Sequence, residues 1–393
     1  MINGKIDVFD KIDDINYIPV IASLISFAAE NKWIDGKSIT FFQKNSIFKY
    51  GKHLVNPYHT KKSYEILFNN DEFLENTLSF ADSGGLQELL MDNVNISPID
   101  VLKWQEKYCD IGFALDKIPF KKNLGTVKVG WTFDEINFEK CAEITKQRIL
   151  DAMKVRIEYK SFKYYAIIQG TNYKLYKKWK EIIDSPGIDG WCCKSPTNSS
   201  ASLAETAVFA IKNLNKPTHF LGVGQLTKSI ILFYAKKYFK YPISFDSSSY
   251  DTGAQFRRYN LPFYFNGMES IKMDKDEKYN ISNFNEFCSC PACNMMSKIM
   301  DKPDKDKYMG YLISLHNLAQ NVYIFNYLKN IYKDSDKMRI FVNNYFKEQT
   351  AEKILQCFDY IDDAVKNGVE FAKQKHIHIF QEFKKTTRQQ TLI

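Results

Sequence analysis

Two acidic residues could do chemistry together. Asp82 opens the segment Asp-Ser-Gly-Gly-Leu-Gln, residues 82–87, in which two glycines let the backbone approach a ligand closely. Asp246 follows Phe245 and is succeeded by three serines and Tyr250. Taken singly, the first motif is explained by a turn and the second by a helix N-cap. Taken as a pair across one pocket, the two carboxylates can divide glycosidic chemistry. One attacks a sugar carbon and the other moves protons. A second constellation belongs to metal chemistry. Cys288-Ser289-Cys290-Pro291-Ala292-Cys293 places three thiols on a tight turn, and His316 follows on a helical pattern. Zinc takes four tetrahedral nitrogen or sulfur ligands, and four protein ligands leave no open position, so this set reads as a structural zinc site rather than three buried free thiols. The remaining cysteines, Cys109, Cys141, Cys192, Cys193 and Cys357, read as core or strand residues rather than a disulfide framework. Reduced thiols and a terminus without a signal-peptide apolar region lead us to expect a cytoplasmic protein.

Carboxylates so far apart in sequence share a pocket only if the fold gathers strand ends. Short apolar runs alternate with helical patterns, the signature of βα units and a largely parallel sheet. The runs are Phe80-Ala81, Ile111 to Leu115, Tyr165 to Ile168, His219 to Leu221 and Ile243 to Phe245. Residues 138–158 and 202–214 carry amphipathic helical spacing between them. Each run ends on a polar residue or glycine: Asp82, Asp116, Gln169, Gly222 and Asp246. In a (β/α)8 barrel all C-terminal strand ends open into one mouth, where the active site sits. With no glycine-rich dinucleotide turn present, a closed TIM-type barrel is favoured over an open doubly wound sheet. The expected organisation is an α/β barrel over 1–283 carrying the active site, a zinc-binding subdomain over 284–345, and C-terminal helices over 346–393. The charged stretches 273–278 and 301–307 read as solvated loops beside the cysteine cluster, and 311–375 as helical.

Composition narrows the partners. A net charge of +8 and a 15% aromatic share suit a polyanion with stackable bases, although Phe and Tyr also fill cores. The basic clusters Lys177-Lys178-Trp179-Lys180, Arg257-Arg258 and Lys384-Lys385 are candidate phosphate contacts, each with a solvated helix face as its plainer explanation. The best apolar stretch, 18–29, contains two serines and is too short for a bilayer, so no membrane association is expected.

In chain order, Asp82 to Gln87, Gln169-Gly170, Gly222-Val223-Gly224, Phe245-Asp246 and the Cys-x-Cys-x-x-Cys…His set resemble the tRNA-guanine transglycosylases. Asn56-Pro57-Tyr58-His59 is similar to that family's second-strand segment and Leu315-His316-Asn317 to its ligand helix. The resemblance covers roughly residues 15–330. It implies that Asp246 attacks the sugar C1′ and expels guanine, leaving a covalent glycosyl-enzyme intermediate. Asp82 then deprotonates an incoming free 7-deazaguanine base. It further implies that Asp116 reads the base's N1 and 2-amino donors and Gln169 its 6-oxo group, with Ser83, Gly170, Gly222 and Gly224 lining the pocket.

The chain also departs from the family. Leu86 stands where an aromatic is usual, leaving Leu86 and Leu221 to flank the base. Cys192-Cys193-Lys194-Ser195 follows Asp189-Gly190-Trp191 where the family has Gly-Gly. After the nucleophile, Ser-Ser-Ser-Tyr and then Arg257-Arg258-Tyr259 replace the bacterial Thr-Arg segment, nearer the archaeal branch, and the length leaves no room for archaeal RNA-binding C-terminal domains. That combination resembles the DpdA group, relatives, many of them from phages, that place 7-deazaguanines in DNA. DNA is therefore the expected polymer, with the host cytoplasm as location if the protein is phage-encoded. tRNA is the alternative with the same chemistry, and a non-catalytic zinc-braced nucleic-acid-binding subunit is the alternative of another class. Homodimerisation stays open.

Overall fold

A computed structural model describes residues 11–21, 24–25, 28, 33–91, 96–122, 131–157, 161–195, 199–262, 270–272, 284–302 and 304–380. Its centre is a parallel barrel of β1 (Ile15–Pro19), β2 (Lys52–Val55), β3 (Leu78–Ala81), β4 (Ile111–Phe113), β5 (Lys163–Ile168), β6 (Gly190–Lys194), β7 (Thr218–Leu221) and β8 (Ile243–Ser247). From β2 to β8 each strand pairs in parallel with the next, and β8 pairs with β1. A Val20–Leu54 bridge and the Ile21 N–H to Leu54 O bond at 2.9 Å close β1 onto β2. The expected (β/α)8 barrel is what the chain forms.

Strand residues alternate between two apolar layers. Leu78, Phe80, Ile111, Phe113, Tyr165, Ile167 and Cys192 fill the lumen, with Ile18 and Leu54. Their neighbours Val55, Ala81, Ala166, Ile168, Cys193, Phe220 and Phe245 face the surrounding helices. Burial on both faces makes such strands almost continuously apolar. The same period of two projects the residues just past the inward positions into the barrel mouth, namely Asp82 after Phe80, Gln169 after Ile167 and Lys194 after Cys192.

The helices that follow the barrel strands are α1 (Pro57–Asn69), α2 (Gly85–Leu90), α3 (Pro98–Tyr108), α4 (Phe138–Met153), α5 (Tyr173–Ile183), α6 (Ser200–Asn213), α7 (Leu226–Lys236) and α8 (Ser249–Gln255). Helix α5 shows why they sit where they do. Asn172 caps its N-terminus through the Leu175 N–H at 3.1 Å, and Tyr176, Trp179 and Ile183 bury one face. On the other face Lys178 pairs with Glu139, and Lys180 with Asp184 at 2.6 Å. That basic cluster is a solvated helix face.

Beyond the barrel lie α9 (Pro291–Ile299), α10 (Asp306–Ile331), α11 (Ser335–Tyr345), α12 (Glu348–Asn367) and α13 (Val369–Lys375). The predicted helical region is thus several helices, and α10 packs directly against β1, α7 and α8. The apolar runs of the sequence understate the barrel: β1, β2 and β6 carry too many polar residues, such as Asn16, His53 and Lys194, to stand out among them. The charged stretch 273–278, Lys384-Lys385 and the chain's last residues lie outside the described residues. Among those described, no helix is long and apolar enough to cross a membrane.

Candidate active site

The structure brings Asp82, Ser83, Asp116, Gln169, Gly222 and Asp246 to the C-terminal mouth of the barrel. Asp82 accepts the Ser83 N–H at 2.7 Å and the Asn56 amide at 2.9 Å. The orientation of the Asn56 amide is fixed, because its side-chain oxygen caps α1 by accepting the Tyr58 N–H at 3.0 Å. Burial raises the Asp82 carboxyl above its ordinary value, and the nearby charge of Asp246 adds to the rise while the Ser83 N–H and Lys194 oppose it. A carboxyl poised this way suits proton transfer.

Asp116 sits behind Asp82. Gln169 donates from Nε2 to its Oδ2 at 2.7 Å, and the Ser83 hydroxyl lies 3.4 Å from its Oδ1. Gly85 must be glycine here, since a Cβ would stand 2.4 Å from Asp116 Oδ1. Glu88, held by Lys117 and Arg148 at 2.8 Å each, anchors α2, and Arg148 also donates to the Asp116 carbonyl at 3.2 Å. Burial pushes the Asp116 carboxyl up to about 6, with the Asp82 charge contributing. A carboxyl raised on folding binds its proton more tightly in the native state, so it favours folding least once pH exceeds that value. We expect Asp116→Asn to gain stability relative to wild type as pH climbs from the ordinary carboxylate range through about 6. The gain should reach roughly 3 kcal/mol, because holding a carboxyl that far above its ordinary value costs the folded state on that order once the group ionises. Thermal melts of both proteins across that window check this, and parallel curves would rule it out.

Asp246 is buried at the end of β8. Its Oδ1 accepts the Gly222 N–H at 2.8 Å and lies 3.1 Å from His219 Nε2. Gly222 adopts φ +68°, which turns its amide toward the carboxylate. Gly224 packs under Ser247 and Ser249, where a Cβ would come within 3.1 Å of Ser247 Oγ. Gly170 differs from the expectation of a pocket-lining residue in what it touches: a Cβ there would meet Tyr176 at 2.9 Å, so it lets α5 close on β5. Leu86 is half exposed at the rim, and Arg257 and Arg258 are both exposed beyond α8. Three residues of this site are not evident from the sequence. Asn56 stands in a recognisable segment that gives it no role of its own, His219 reads simply as a strand residue, and Lys194 is noticed only as part of the segment that replaces the family's Gly-Gly. Their inward position two residues from lumen residues is the available signal.

A second site lies on the segment after β8. Cys288, Cys290, Cys293 and His316 are buried, and their ligand atoms lie within 4.8 Å of one another. His316 Nδ1 is 3.4 Å from Cys290 Sγ and 3.2 Å from Cys293 Sγ. Its Nε2–H donates to the Asn260 carbonyl at 2.7 Å, a bond that leaves the Nδ1 lone pair facing the thiols. The Gln320 amide points at Cys288 Sγ from 3.3 Å, and the Tyr259 ring stacks on His316 at 3.9 Å. Donors aimed at sulfur stabilise thiolates, so the set fits a metal ion. Asn317 next door bonds to the backbone of Tyr250, Arg258 and Asn260, tying this centre to the stretch that follows the nucleophile strand.

No family model matches the chain. Two curated relatives do. The tRNA-guanine(15) transglycosylase of Sulfolobus acidocaldarius is 26% identical over 278 residues, 66% of this chain and 49% of that protein. That of Methanococcus vannielii is 25% identical over 264 residues, covering 65% and 37%. Over about two thirds of its length the chain is thus similar to the tRNA-guanine transglycosylases. The match spans half or less of the length of these relatives.

Proposed function

We propose that this protein exchanges guanine in a nucleic acid for a 7-deazaguanine through a covalent aspartyl-glycosyl intermediate. The observation that carries the reading is Asp82 and Asp246 at one barrel mouth, with the bonded Asp116–Gln169 pair beside them. In the first step a carboxylate oxygen of Asp246 bonds to the sugar C1′. The C1′–N9 bond breaks with its electron pair going to N9, which takes a proton from Asp82. In the second, the incoming base gives its N9 proton to Asp82, its nitrogen bonds to C1′, and the carboxylate of Asp246 is released. Asp116 takes the N1–H and 2-amino donors of the base and Gln169 its 6-oxo group. Leu86 and Leu221 flank the ring, and Ser83, Gly170, Gly222 and Gly224 shape the surrounding backbone.

The metal is a structural zinc held by Cys288, Cys290, Cys293 and His316; four protein ligands leave it no place for substrate. The division into a barrel over 1–283, a zinc-binding subdomain over 284–345 and C-terminal helices over 346–393 belongs to the same proposal. We assign the polymer as DNA, in the manner of the DpdA group, because Ser247 to Tyr250 and Arg257-Arg258 replace the bacterial Thr-Arg segment after the nucleophile. A target base would be extruded into the mouth, and the exposed Arg257 and Arg258 would meet phosphates. The names of both curated relatives favour tRNA as the second reading. Labelled guanine offered with tRNA, single-stranded DNA and duplex DNA at equal salt tests both. Label is expected in DNA; label in tRNA alone overturns the polymer and keeps the chemistry, and label in none overturns the chemistry.

A further inference from the structure

We propose that His219 is the positioning residue of the nucleophile, and this rests on the transglycosylase reading. The β7–β8 register pairs His219 with Ser244, and Asp246 lies two residues further along the same inward face of β8. The imidazole therefore runs along its neighbour strand and meets both: Nδ1 is 2.8 Å from Ser244 Oγ and Nε2 is 3.1 Å from Asp246 Oδ1. The ring is fully buried in the lumen, with the rings of Phe80 at 5.1 Å and Phe113 at 4.9 Å. Packed on those faces and bonded at both nitrogens, it has one orientation.

The chemistry at each end sets the tautomer. A carboxylate that is to act as nucleophile carries no proton, so Nε2–H donates to Asp246 and the Ser244 hydroxyl donates to Nδ1. Together with the Gly222 N–H, this places two donors on Oδ1. Among the described residues no hydrogen bond reaches Oδ2, so Oδ2 is the atom that bonds to C1′ as the C1′–N9 pair leaves with the base. In the ester Oδ1 becomes the carbonyl oxygen and keeps both donors. When the second base nitrogen attacks C1′, the C1′–Oδ2 pair returns to a carboxylate whose charge these donors already face. His219 thus assists both halves of the exchange without touching substrate.

The test compares wild type with His219→Leu and His219→Gln in labelled-guanine exchange on the polymer that wild type modifies, with His219 also observed by nitrogen-15 NMR. Leucine keeps the apolar packing and removes the donor; glutamine restores an N–H near the position of Nε2. His219→Leu is expected to lose about 100-fold in kcat, the scale for one preorganised donor, with KM for the polymer nearly unchanged. His219→Gln should recover most of that loss, which a purely structural role would not predict. In wild type the NMR signal should show a protonated, hydrogen-bonded Nε2. Should the leucine variant not fold, the glutamine variant and the wild-type tautomer decide. Wild-type kcat in His219→Leu, a glutamine variant as slow as the leucine one, or an unprotonated Nε2 in wild type overturns the inference. Absence of exchange by wild type itself overturns the transglycosylase reading instead, and this role with it.

Discussion

Asp246→Asn is expected to abolish base exchange and the denaturation-resistant adduct with nucleic acid while leaving the fold intact. The substitution keeps the size of the side chain, and its amide oxygen can still accept the Gly222 N–H that now bonds Oδ1 at 2.8 Å. What it removes is the negative charge and the lone pair that forms the glycosyl bond. Losing a covalent nucleophile raises the barrier by at least about 4 kcal/mol, a thousandfold or more in rate. Melting temperature should change little, because Asp246 lies at a strand end and its partners stay hydrogen-bonded. Quench-trapping with labelled polymer reads the outcome directly. A denaturation-resistant adduct formed by the asparagine variant would show that another group attacks the sugar.

The second large effect concerns the metal centre. One zinc per chain is expected in protein purified without chelator, and Cys290→Ser should lose it. Cys290 is central to the set: it caps α9 through the Cys293 N–H and lies 3.4 Å from His316 Nδ1. Removing one ligand leaves the remaining thiols crowded in a buried site with nothing to neutralise them. Folding stability should fall by at least about 3 kcal/mol, since metal affinity in such sites is folding energy. Asn317 and His316 also secure residues 250–260, so the damage should reach the segment behind the nucleophile. The exchange rate per folded molecule should nonetheless stay within a few-fold of wild type. Elemental analysis finding no zinc, or a Cys290→Ser protein that melts like wild type, would remove the structural assignment.

Much of the chemistry is legible along the chain because it is local there. Three thiols in six residues can be read as a ligand set without knowing the fold. Apolar runs ending on Asp82, Asp116, Gln169, Gly222 and Asp246 point to a barrel mouth because the strand period is two and the strands are parallel. Local order of motifs also carries the superfamily resemblance. What no local pattern can settle are contacts made across strands. His219 reads as one more residue of an apolar run, and only the register with β8 sets it against Ser244 and Asp246. Asn56 and Asp82 meet because β2 and β3 are neighbours, with Val55 paired to Ala81 one residue before the Asp82 carboxyl. Strands β1, β2 and β6 are hidden for a related reason. Polar residues there find partners on neighbouring strands, as when Lys52 of β2 donates to the Asn16 side-chain oxygen at 2.5 Å and the Asn16 amide donates to the Ile243 carbonyl of β8 at 3.4 Å. A sequence displays the polarity of such a residue but not the partner that makes it compatible with burial, and that partner is chosen by register and closure of the barrel.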